Sequence, residues 1–274
     1  MTEQLQNQMQ DNMRPLVTVA MPVYNAGNYL RLAVLSIVKQ TFTDWEMLII
    51  DDGSTDNALD SIADIQDYRI RIIKDGVNKG LAARLNEAID LARGQYLARM
   101  DQDDVSYPER FERQVQALQM DPELDLVAVR GITISMHNMQ TGYLPYSIKH
   151  EEITATPWKS FNMPHPTWMG KLSWFKKYHY KVPQSYYSED YELLLRSYKN
   201  SKFACLPEIL FEYRIKHKII WNNQFKARKA VLKLQALHFY NQREYLFIAL
   251  SFSVFFLRII LDFSKIVNQS LRNT

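Results

Sequence analysis

Residues 95–104 read QYLARMDQDD, a short apolar segment that runs directly into an acidic cluster. The apolar part predicts a buried strand over residues 95–100. Two earlier segments have the same form. Residues 16–23 (LVTVAMPV) lead into the loop sequence YNAG, and residues 45–50 (WEMLII) lead into DDGSTD. Three predicted strands therefore end in polar sequence.

Helical spacing of apolar residues separates these strands. It predicts helices over residues 28–40, 58–65 and 81–92, with a further strand over residues 70–74. Strands that alternate with helices of about a dozen residues imply a parallel sheet with right-handed crossovers. Ligands bind such sheets at the carboxyl ends of the strands. The sequence thus predicts an α/β fold in which the polar strand ends form one site.

The rest of the chain continues the mixed pattern. We predict a helix over residues 109–119, a strand over 126–134, a helix over 188–198 with Ser188 as its N-cap, and a last strand over 206–213. From residue 222 onward the pattern is helical. No internal repeat or low-complexity segment is present.

Composition limits the class of protein. The chain has 274 residues, of which 47% are hydrophobic and 23% charged, as in ordinary globular proteins. Its single cysteine, Cys205, excludes an internal disulfide framework and suits a reducing compartment. The first 14 residues are polar and lack the apolar core of a signal peptide, so we expect a cytoplasmic protein.

The acidic cluster offers ligands for a metal ion. Alternation in an extended segment directs Asp101 and Asp103 to the same side. Carboxylate oxygens are the ligands that Mn2+ or Mg2+ prefers, and such ions share their shell with substrate phosphates. A solvated acidic turn is the alternative. The position after a buried strand, beside two other polar strand ends, favours the metal site.

The other two strand ends suit a nucleotide. Tyr24 provides an aromatic ring that can stack on a base, and a carboxylate of the DDGSTD segment can accept from a base imide or a ribose hydroxyl. An ordinary turn and a half-buried loop tyrosine are the alternatives.

Taken in order, these segments resemble the inverting glycosyltransferase family 2. The segments are PVYN at Pro22, DDGSTD at Asp51, NKG at Asn78, DQDD at Asp101, HPT at His165, SEDY at Ser188 and EILFEYR at Glu208. The resemblance runs from about residue 18 to residue 217. It implies the GT-A (Rossmann-like) fold, with a mostly parallel central sheet flanked by helices and, here, a helical C-terminal extension.

The resemblance also implies roles for individual residues. Asp190 corresponds to the general base, and Glu189 orients it or touches the acceptor. The nucleotide-binding set consists of Pro22, Tyr24, Asp52, Lys79 and Asp101. The metal set consists of Asp101, Asp103 and His217, although two residues separate Arg214 from His217, where the family more often has one. For the acceptor we expect His165 and Trp168, with a position in the apolar core as the alternative for Trp168.

On this basis we divide the chain into four parts. They are a disordered leader over residues 1–15, a nucleotide-binding half over 16–107, an acceptor-binding half over 108–220 and a tail over 221–274. The tail is basic. Residues 214–274 carry 11 Lys and Arg against two acids, a net charge of +9, whereas the first 213 residues carry −6.

The tail also contains a long apolar run, LFIALSFSVFFL at residues 246–257. Twelve residues are short for a membrane span, which needs about 20. Basic and apolar residues together favour a helix that lies on an anionic bilayer. Packing of the tail on the domain, or on a second copy in a homo-oligomer, is the alternative.

The sequence therefore predicts a metal-assisted transferase that moves a sugar from a UDP-sugar to an acceptor hydroxyl. We expect a glycan or lipid-linked saccharide as acceptor, in the synthesis of a bacterial surface glycan at the inner face of the cytoplasmic membrane, and no nucleic acid partner. A nucleotidyltransferase is one alternative. Such an enzyme usually needs a glycine-rich loop with a basic residue to bind phosphate, whereas the YNAG loop has one glycine and no lysine. A non-catalytic nucleotide-sugar-binding module is the other.

Overall fold

Strand β1 (Val17–Val23) lies at the centre of the nucleotide-binding half, between β2 and β4. The computed structural model describes residues 14–183, 188–215 and 221–272, with side chains to residue 263. The other strands in that part of the chain are β2 (Trp45–Asp51), β3 (Ile70–Lys74), β4 (Tyr96–Arg99), β5 (Val105–Ser106), β6 (Leu126–Ile134), β7 (Gln140–Tyr143), β8 (Met169–Lys171) and β9 (Phe203–Arg214).

Helices cover both faces and extend the C-terminus. They are α1 (Leu30–Val38), α2 (Leu81–Leu91), α3 (Arg110–Met120), α4 (His150–Ile153), α5 (Leu172–Lys177), α6 (Glu189–Ser197), α7 (Trp221–Asn241) and α8 (Tyr245–Arg272). Short 3-10 helices lie at Gly27–Tyr29, Ala58–Ile62, His165–Thr167 and Tyr198–Asn200.

The strands form one sheet in the order β3-β2-β1-β4-β8-β6-β9-β5, with β7 beside β6. The first four strands are mutually parallel. Strand β8 is antiparallel to β4, and β6 and β9 resume the original direction. The predicted α/β fold, with a mostly parallel sheet, is confirmed. Between β1 and β4 the strand order reverses, and such a reversal opens a crevice at the carboxyl ends.

Two apolar layers hold the helices on the sheet. Because side chains alternate along a strand, Val19 and Met21 of β1 face the layer of α1 and α3, whereas Ala20 faces the layer of α2 and α6. The first layer includes Phe111 and the second includes Trp168, both fully buried. Because helices pack on both faces of the sheet, the strands and their carboxyl ends are held in place.

Two predicted elements differ from the structure. The helix predicted over residues 58–65 is a five-residue 3-10 helix, in which the Ser61 hydroxyl donates to the Ala58 carbonyl at 2.6 Å and so competes with the backbone. The last strand is longer than predicted, since pairing with β6 extends it to Phe203–Arg214. Ser188 precedes α6 as predicted, but it makes no capping hydrogen bond.

Helices α7 and α8 pack as an antiparallel hairpin. Phe239 contacts Phe247 near the turn, and Trp221 contacts Phe263 at the far end. Segment Tyr245–Phe263 of α8 is, within the described residues, the one helix long and apolar enough to cross a membrane by length and composition, and 6% of it is buried. Most residues of this apolar segment are thus exposed or only half-buried.

Candidate active site

The loops that follow β1 and β2 are bound to each other. The Asn25 side-chain oxygen accepts from the Thr55 and Asp56 amides at 2.8 and 3.3 Å. The Asp56 carboxylate accepts in turn from the Gly27 amide at 2.8 Å. Asn25 has a positive φ of 49°, which asparagine tolerates better than most residues. These bonds fix one wall of the crevice.

Asp52 follows β2 directly and is buried in this wall of the crevice. Its carboxylate accepts from the backbone amides of Lys79 at 2.6 Å and Gly80 at 3.0 Å, and from Nε of Arg84 at 2.9 Å. The structure therefore brings Asp52 and Lys79 together, but through the backbone of Lys79. The lysine ammonium binds Asp75 instead, at 2.6 Å.

Tyr24 lies at the end of β1 with 47% of its surface exposed, as a stacking platform requires. Pro22 is buried within the strand below it. The amide of Gln102, in the acidic cluster, pairs with the Tyr24 backbone in both directions. Its oxygen accepts from the Tyr24 amide at 2.6 Å, and its nitrogen donates to the Tyr24 carbonyl at 3.0 Å. Gln102 thus fixes the acidic cluster beside the tyrosine.

Within the acidic cluster, Asp104 differs from its neighbours because it is buried. One of its oxygens accepts from the Arg214 amide at 2.8 Å, while the other has no hydrogen-bond partner. Burial raises the pKa of Asp104 well above its ordinary value, and the charges of Asp101 and Asp103 add to this rise. Asp101 and Asp103 are partly exposed.

The acidic cluster suits a hard divalent cation. Asp101 and Asp103 supply carboxylate oxygens, the donors that Mn2+ and Mg2+ prefer. Besides burial, which is the main cause, the charges of Asp101 and Asp103 raise the pKa of Asp104, and a cation would offset those charges. The residues present therefore fit the ion. His217, the third predicted ligand, lies outside the described residues.

A second acidic pair, Glu189 and Asp190, opens α6. Both residues are partly exposed. Burial, and then the charge of Asp190, raises the pKa of Glu189 to about 7. Burial also raises the pKa of Asp190. The hydrogen bond that its carboxylate accepts from the Tyr191 amide at 2.7 Å lowers this pKa, but the effect of burial is larger. A pair with these properties can take up a proton near neutral pH.

His165 adjoins this pair. Ligand atoms of His165, Glu189 and Asp190 all lie within 4.8 Å of one another. Its Nε2 is 2.8 Å from the Tyr180 hydroxyl, and burial holds the pKa of the imidazole well below its ordinary value, so the ring is neutral. The structure therefore brings the predicted acceptor residue His165 beside the predicted base.

The other predicted acceptor residue does not reach the crevice. Trp168 is fully buried, its indole N–H donates to the Met163 carbonyl at 3.2 Å, and its ring lies against His165 at 4.5 Å between centroids. The predicted contact of Trp168 with an acceptor is therefore wrong for this conformation. The alternative, a position in the apolar core, is correct, because the ring fills the space behind His165.

Sequence reasoning missed two buried arginines. Arg84 of α2 is fully buried and binds Asp52, Asp75 and Glu87. Arg99 closes β4 and binds Asp101 at 2.7 Å. A signal was present in both cases, since each arginine interrupts an apolar segment, where a charge is costly unless it is paired.

Fold and site together are those of a GT-A glycosyltransferase, with an acidic cluster after β4 and a carboxylate pair at the start of α6. The family model for glycosyl transferase family 2 matches residues 18–179. The chain belongs to that family, and it is a glycosyltransferase that acts in glycan biosynthesis. The predicted family and enzyme class are confirmed.

Three relatives illustrate the range of similarity. An uncharacterized glycosyltransferase of Methanocaldococcus jannaschii is 32% identical over 222 residues, 79% of this chain and 76% of that protein. The UDP-Glc:alpha-D-GlcNAc-diphosphoundecaprenol beta-1,3-glucosyltransferase WfgD of Escherichia coli is 34% identical over 103 residues, 38% of this chain and 41% of WfgD.

The third relative is a solved structure, the mannosyltransferase PcManGT from Pyrobaculum calidifontis in complex with GDP-Man and Mn2+. It aligns with a TM-score of 0.62 at 15% identity, over 81% of this chain and 64% of that one. At this identity the likeness concerns the fold alone.

Proposed function

We propose that the protein is an inverting glycosyltransferase that moves a sugar from a UDP-sugar to an acceptor hydroxyl, with Asp190 as general base. One observation carries this proposal. A carboxylate pair with raised pKa values opens α6 next to a neutral histidine, and Asp101 of the acidic cluster is close enough to influence the charge of the pair. Inversion needs a base on the face of the sugar opposite the leaving nucleotide.

The donor binds along the first wall of the crevice. Tyr24 stacks on the base, and Asp52, held by the Lys79 and Gly80 amides, recognises its edge or the ribose. Asp101 and Asp103 would hold a Mn2+ or Mg2+ ion, which when bound would supply Lewis-acid stabilisation of the diphosphate charge. Uridine is preferred because the family resemblance assigns Tyr24 and Asp52 to uracil, and WfgD is named for a UDP-sugar.

On the acceptor side, Asp190 accepts the proton of the attacking hydroxyl. Glu189 and neutral His165 lie beside Asp190 and orient the acceptor. The acceptor is a lipid-linked saccharide of a bacterial surface glycan, a class to which the acceptor in the name of WfgD belongs.

The exposed face of α8 supports a membrane-binding surface on the tail. Ten of its described residues point outward, and all are apolar or small: Tyr245, Leu246, Ala249, Phe252, Ser253, Phe256, Leu257, Ile260, Leu261 and Phe263. The two charged residues of α8 whose side chains are described, Arg258 and Asp262, contact the rest of the protein instead. Arg258 donates to the Lys159 carbonyl, and Asp262 pairs with Arg228. We assign this face to the surface of the inner leaflet, since a full crossing would break both inward contacts.

The donor and the base can be tested separately. With Mn2+ present, we expect the unchanged protein to transfer sugar from a member of a panel of UDP-sugars. The Asp190→Asn variant should lose this transfer while it still binds UDP. Asp103→Ala should instead weaken metal-dependent UDP binding, measured by calorimetry with and without Mn2+. Exposed Asp60 provides the control, and Asp60→Asn should change neither property. Full transfer by Asp190→Asn would remove it as the base.

A further inference from the structure

A narrow cleft lies between α7 and α8, on the side of α8 that faces the protein. Its walls combine apolar side chains, among them Val254 and Phe255, with two arginines, Arg228 of α7 and Arg258 of α8. The cleft adjoins a larger cavity of about 380 Å³ on the α7 side, since Arg228 and Val231 line both. Packing of the two helices needs only the apolar side chains, because a charge in such a place is costly unless it is paired.

One acid serves the two arginines. The Asp262 carboxylate binds Nε of Arg228 at 3.2 Å. Arg258 lies four residues before Asp262, on the same face of α8, but its Nη2 donates to the Lys159 carbonyl at 3.0 Å. Among the described residues, these are the only hydrogen bonds and ion pairs of the two guanidiniums. The arginines therefore carry one positive charge more than Asp262 neutralises.

This excess charge occupies a partly buried position. The Arg228 side chain is 31% exposed, and Arg258 is half-buried. Burial, and then the charge of Arg228, lower the pKa of Arg258, as expected for two cations that lie close together. An anion bound between them would relieve this repulsion. The charge balance of the cleft thus favours a negatively charged ligand.

The cleft also reaches the start of α6. Gln235 lines it, and the Gln235 amide donates to the Tyr191 hydroxyl at 2.7 Å. Tyr191 directly follows Asp190, the proposed base. Gln235 therefore connects the two arginines to the residue beside that base. A ligand held by the arginines would extend from the tail toward the acceptor side of the site.

We propose that the cavity beside Arg228 binds the phosphate groups of a lipid-linked acceptor, with Arg228 and Arg258 as their ligands. This inference rests on the proposed function, which supplies Asp190 as the base and α8 as the membrane-binding element. The cleft itself holds about 10 Å³, room for about one water, so the phosphates lie in the larger cavity at its mouth.

The chemistry of such an acceptor matches the surroundings of the arginines. Guanidiniums bind phosphate oxygens in a bidentate manner, and a diphosphate offers Arg228 more negative charge than Asp262 does. The apolar face of α8, on the opposite side of the same helix, suits the lipid chain. The saccharide then lies between the arginines and Asp190. The arginines would thus select acceptors that carry phosphate.

Geranyl diphosphate is a soluble probe that combines a diphosphate with an apolar chain. Calorimetry on the full chain in EDTA measures its binding while the acidic cluster holds no ion. Arg228→Gln and Arg258→Gln should each weaken this binding about tenfold, the effect of losing a charge-assisted hydrogen bond. Lys226→Gln is the matched control, because it removes an exposed charge of α7 and should change the affinity less than about twofold.

Asp262→Asn gives a result of the opposite sign. It removes the carboxylate that competes for Arg228, so geranyl diphosphate should bind about threefold more tightly. An ion pair with only a structural role predicts no such gain. Weaker binding by a folded Asp262→Asn protein, or unchanged binding by both arginine variants, overturns the proposal.

Two further probes identify the source of the phosphate. Geraniol, which lacks the diphosphate, should not bind in the cavity, and dihexanoyl phosphatidylglycerol should bind more weakly than geranyl diphosphate. Equal binding by geraniol would leave no role for the arginines. Equal binding by the phospholipid would make the cavity a site for membrane headgroups. Either result overturns the assignment to an acceptor.

The outcomes separate this inference from the proposed function. If geranyl diphosphate behaves as expected but Asp190→Asn keeps full transfer, the phosphate site stands and the assignment of the base fails. If Asp190→Asn loses transfer but the arginine variants bind the probe normally, the base stands and the phosphate site fails. UDP affinity with Mn2+ should be the same in the arginine variants and in the unchanged protein.

Discussion

At the scale of single residues, buried ion pairs hold the wall of the crevice to which we assign the nucleotide. Arg84 is the central case. Its guanidinium binds Asp52 at 2.9 Å and Asp75 at 2.6 Å, and the bond from Arg84, followed by the bond from Lys79, holds the pKa of Asp75 well below its usual range. Arg84 therefore aligns the carboxylate of Asp52, which we propose faces the nucleotide, and links it to the loop after β3.

We predict that Arg84→Met destabilises the protein and weakens nucleotide binding together. Loss of one partner leaves Asp52 buried without its cation, which costs about 3–5 kcal/mol. Urea denaturation and UDP calorimetry measure the two effects. Arg31→Met is the matched control, because its ion pair with Asp64 is exposed and solvent screens such a pair. Equal stability of the two variants would contradict this assignment.

The sequence contained part of this information. Arg84 lies on the same helical face as Leu81, Leu85 and Ala88, and Arg99 lies inside an apolar strand. A charge in such a position predicts a buried ion pair. It does not identify the partner, because Asp52 lies 32 positions away and meets Arg84 only after the sheet forms.

At the scale of elements, the C-terminal hairpin is bound to α6, the helix that begins with Glu189 and Asp190. Gln235 of α7 is buried, and its amide donates to the Trp158 carbonyl at 2.8 Å and to the Tyr191 hydroxyl at 2.7 Å. Tyr191 follows Asp190 directly, and its hydroxyl donates to the Pro157 carbonyl. The ring of Trp158 also packs on Phe247 of α8, with 4.6 Å between the ring centroids. The hairpin therefore supports the start of α6.

We predict that Gln235→Leu lowers kcat more than it lowers donor affinity. A lost buried hydrogen bond of about 1–2 kcal/mol loosens the start of α6, and about a threefold to tenfold fall in kcat follows. UDP affinity should stay unchanged, since the nucleotide wall is remote from α7. Gln242→Leu, at an exposed position of the same hairpin, is the control. A matching fall in UDP affinity would indicate general unfolding instead.

At the scale of the whole molecule, charge and apolar surface are separated. The outward face of α8 is apolar, while α7 exposes Lys226, Lys229 and Lys233 at helical spacing. Lysines of this kind bind anionic headgroups at about 1 kcal/mol each, and the apolar face enters the acyl boundary. The body of the chain is acidic, so in the proposed membrane-bound state the basic tail would be the part that such a surface attracts.

We predict that the protein sediments with anionic vesicles and less with neutral ones. Changing Phe252 and Phe256 to serine should abolish this binding, and changing the three lysines to serine should remove its dependence on lipid charge and on salt. Met120→Ser is the control, because this exposed methionine lies on α3 of the catalytic domain.

The oligomer alternative predicts a different result. If a second copy covers the apolar face, light scattering will give a dimer without lipid, and the Phe252 and Phe256 changes will produce a monomer. A dimer whose vesicle binding is unaffected by those changes would contradict the membrane assignment.

The sequence by itself determined the alternation of strands and helices and the polar strand ends. Both are local: a strand or helix shows in the period of its apolar residues, and Asp101 and Asp52 are found because they follow such runs. The order of the motifs also determined the family. The short strands β5, β7 and β8 were not predictable, since pairing with distant strands alone stabilises them.

The tertiary structure decided which side chains face one another. It buried Trp168, which the sequence left open between core and acceptor, and it used the Lys79 backbone rather than its ammonium for Asp52. It also brought His165 within 4.8 Å of Glu189 and Asp190, measured between ligand atoms. Burial and charge pairing depend on distance in space, and the chain acquires those distances only when the sheet and its helices pack.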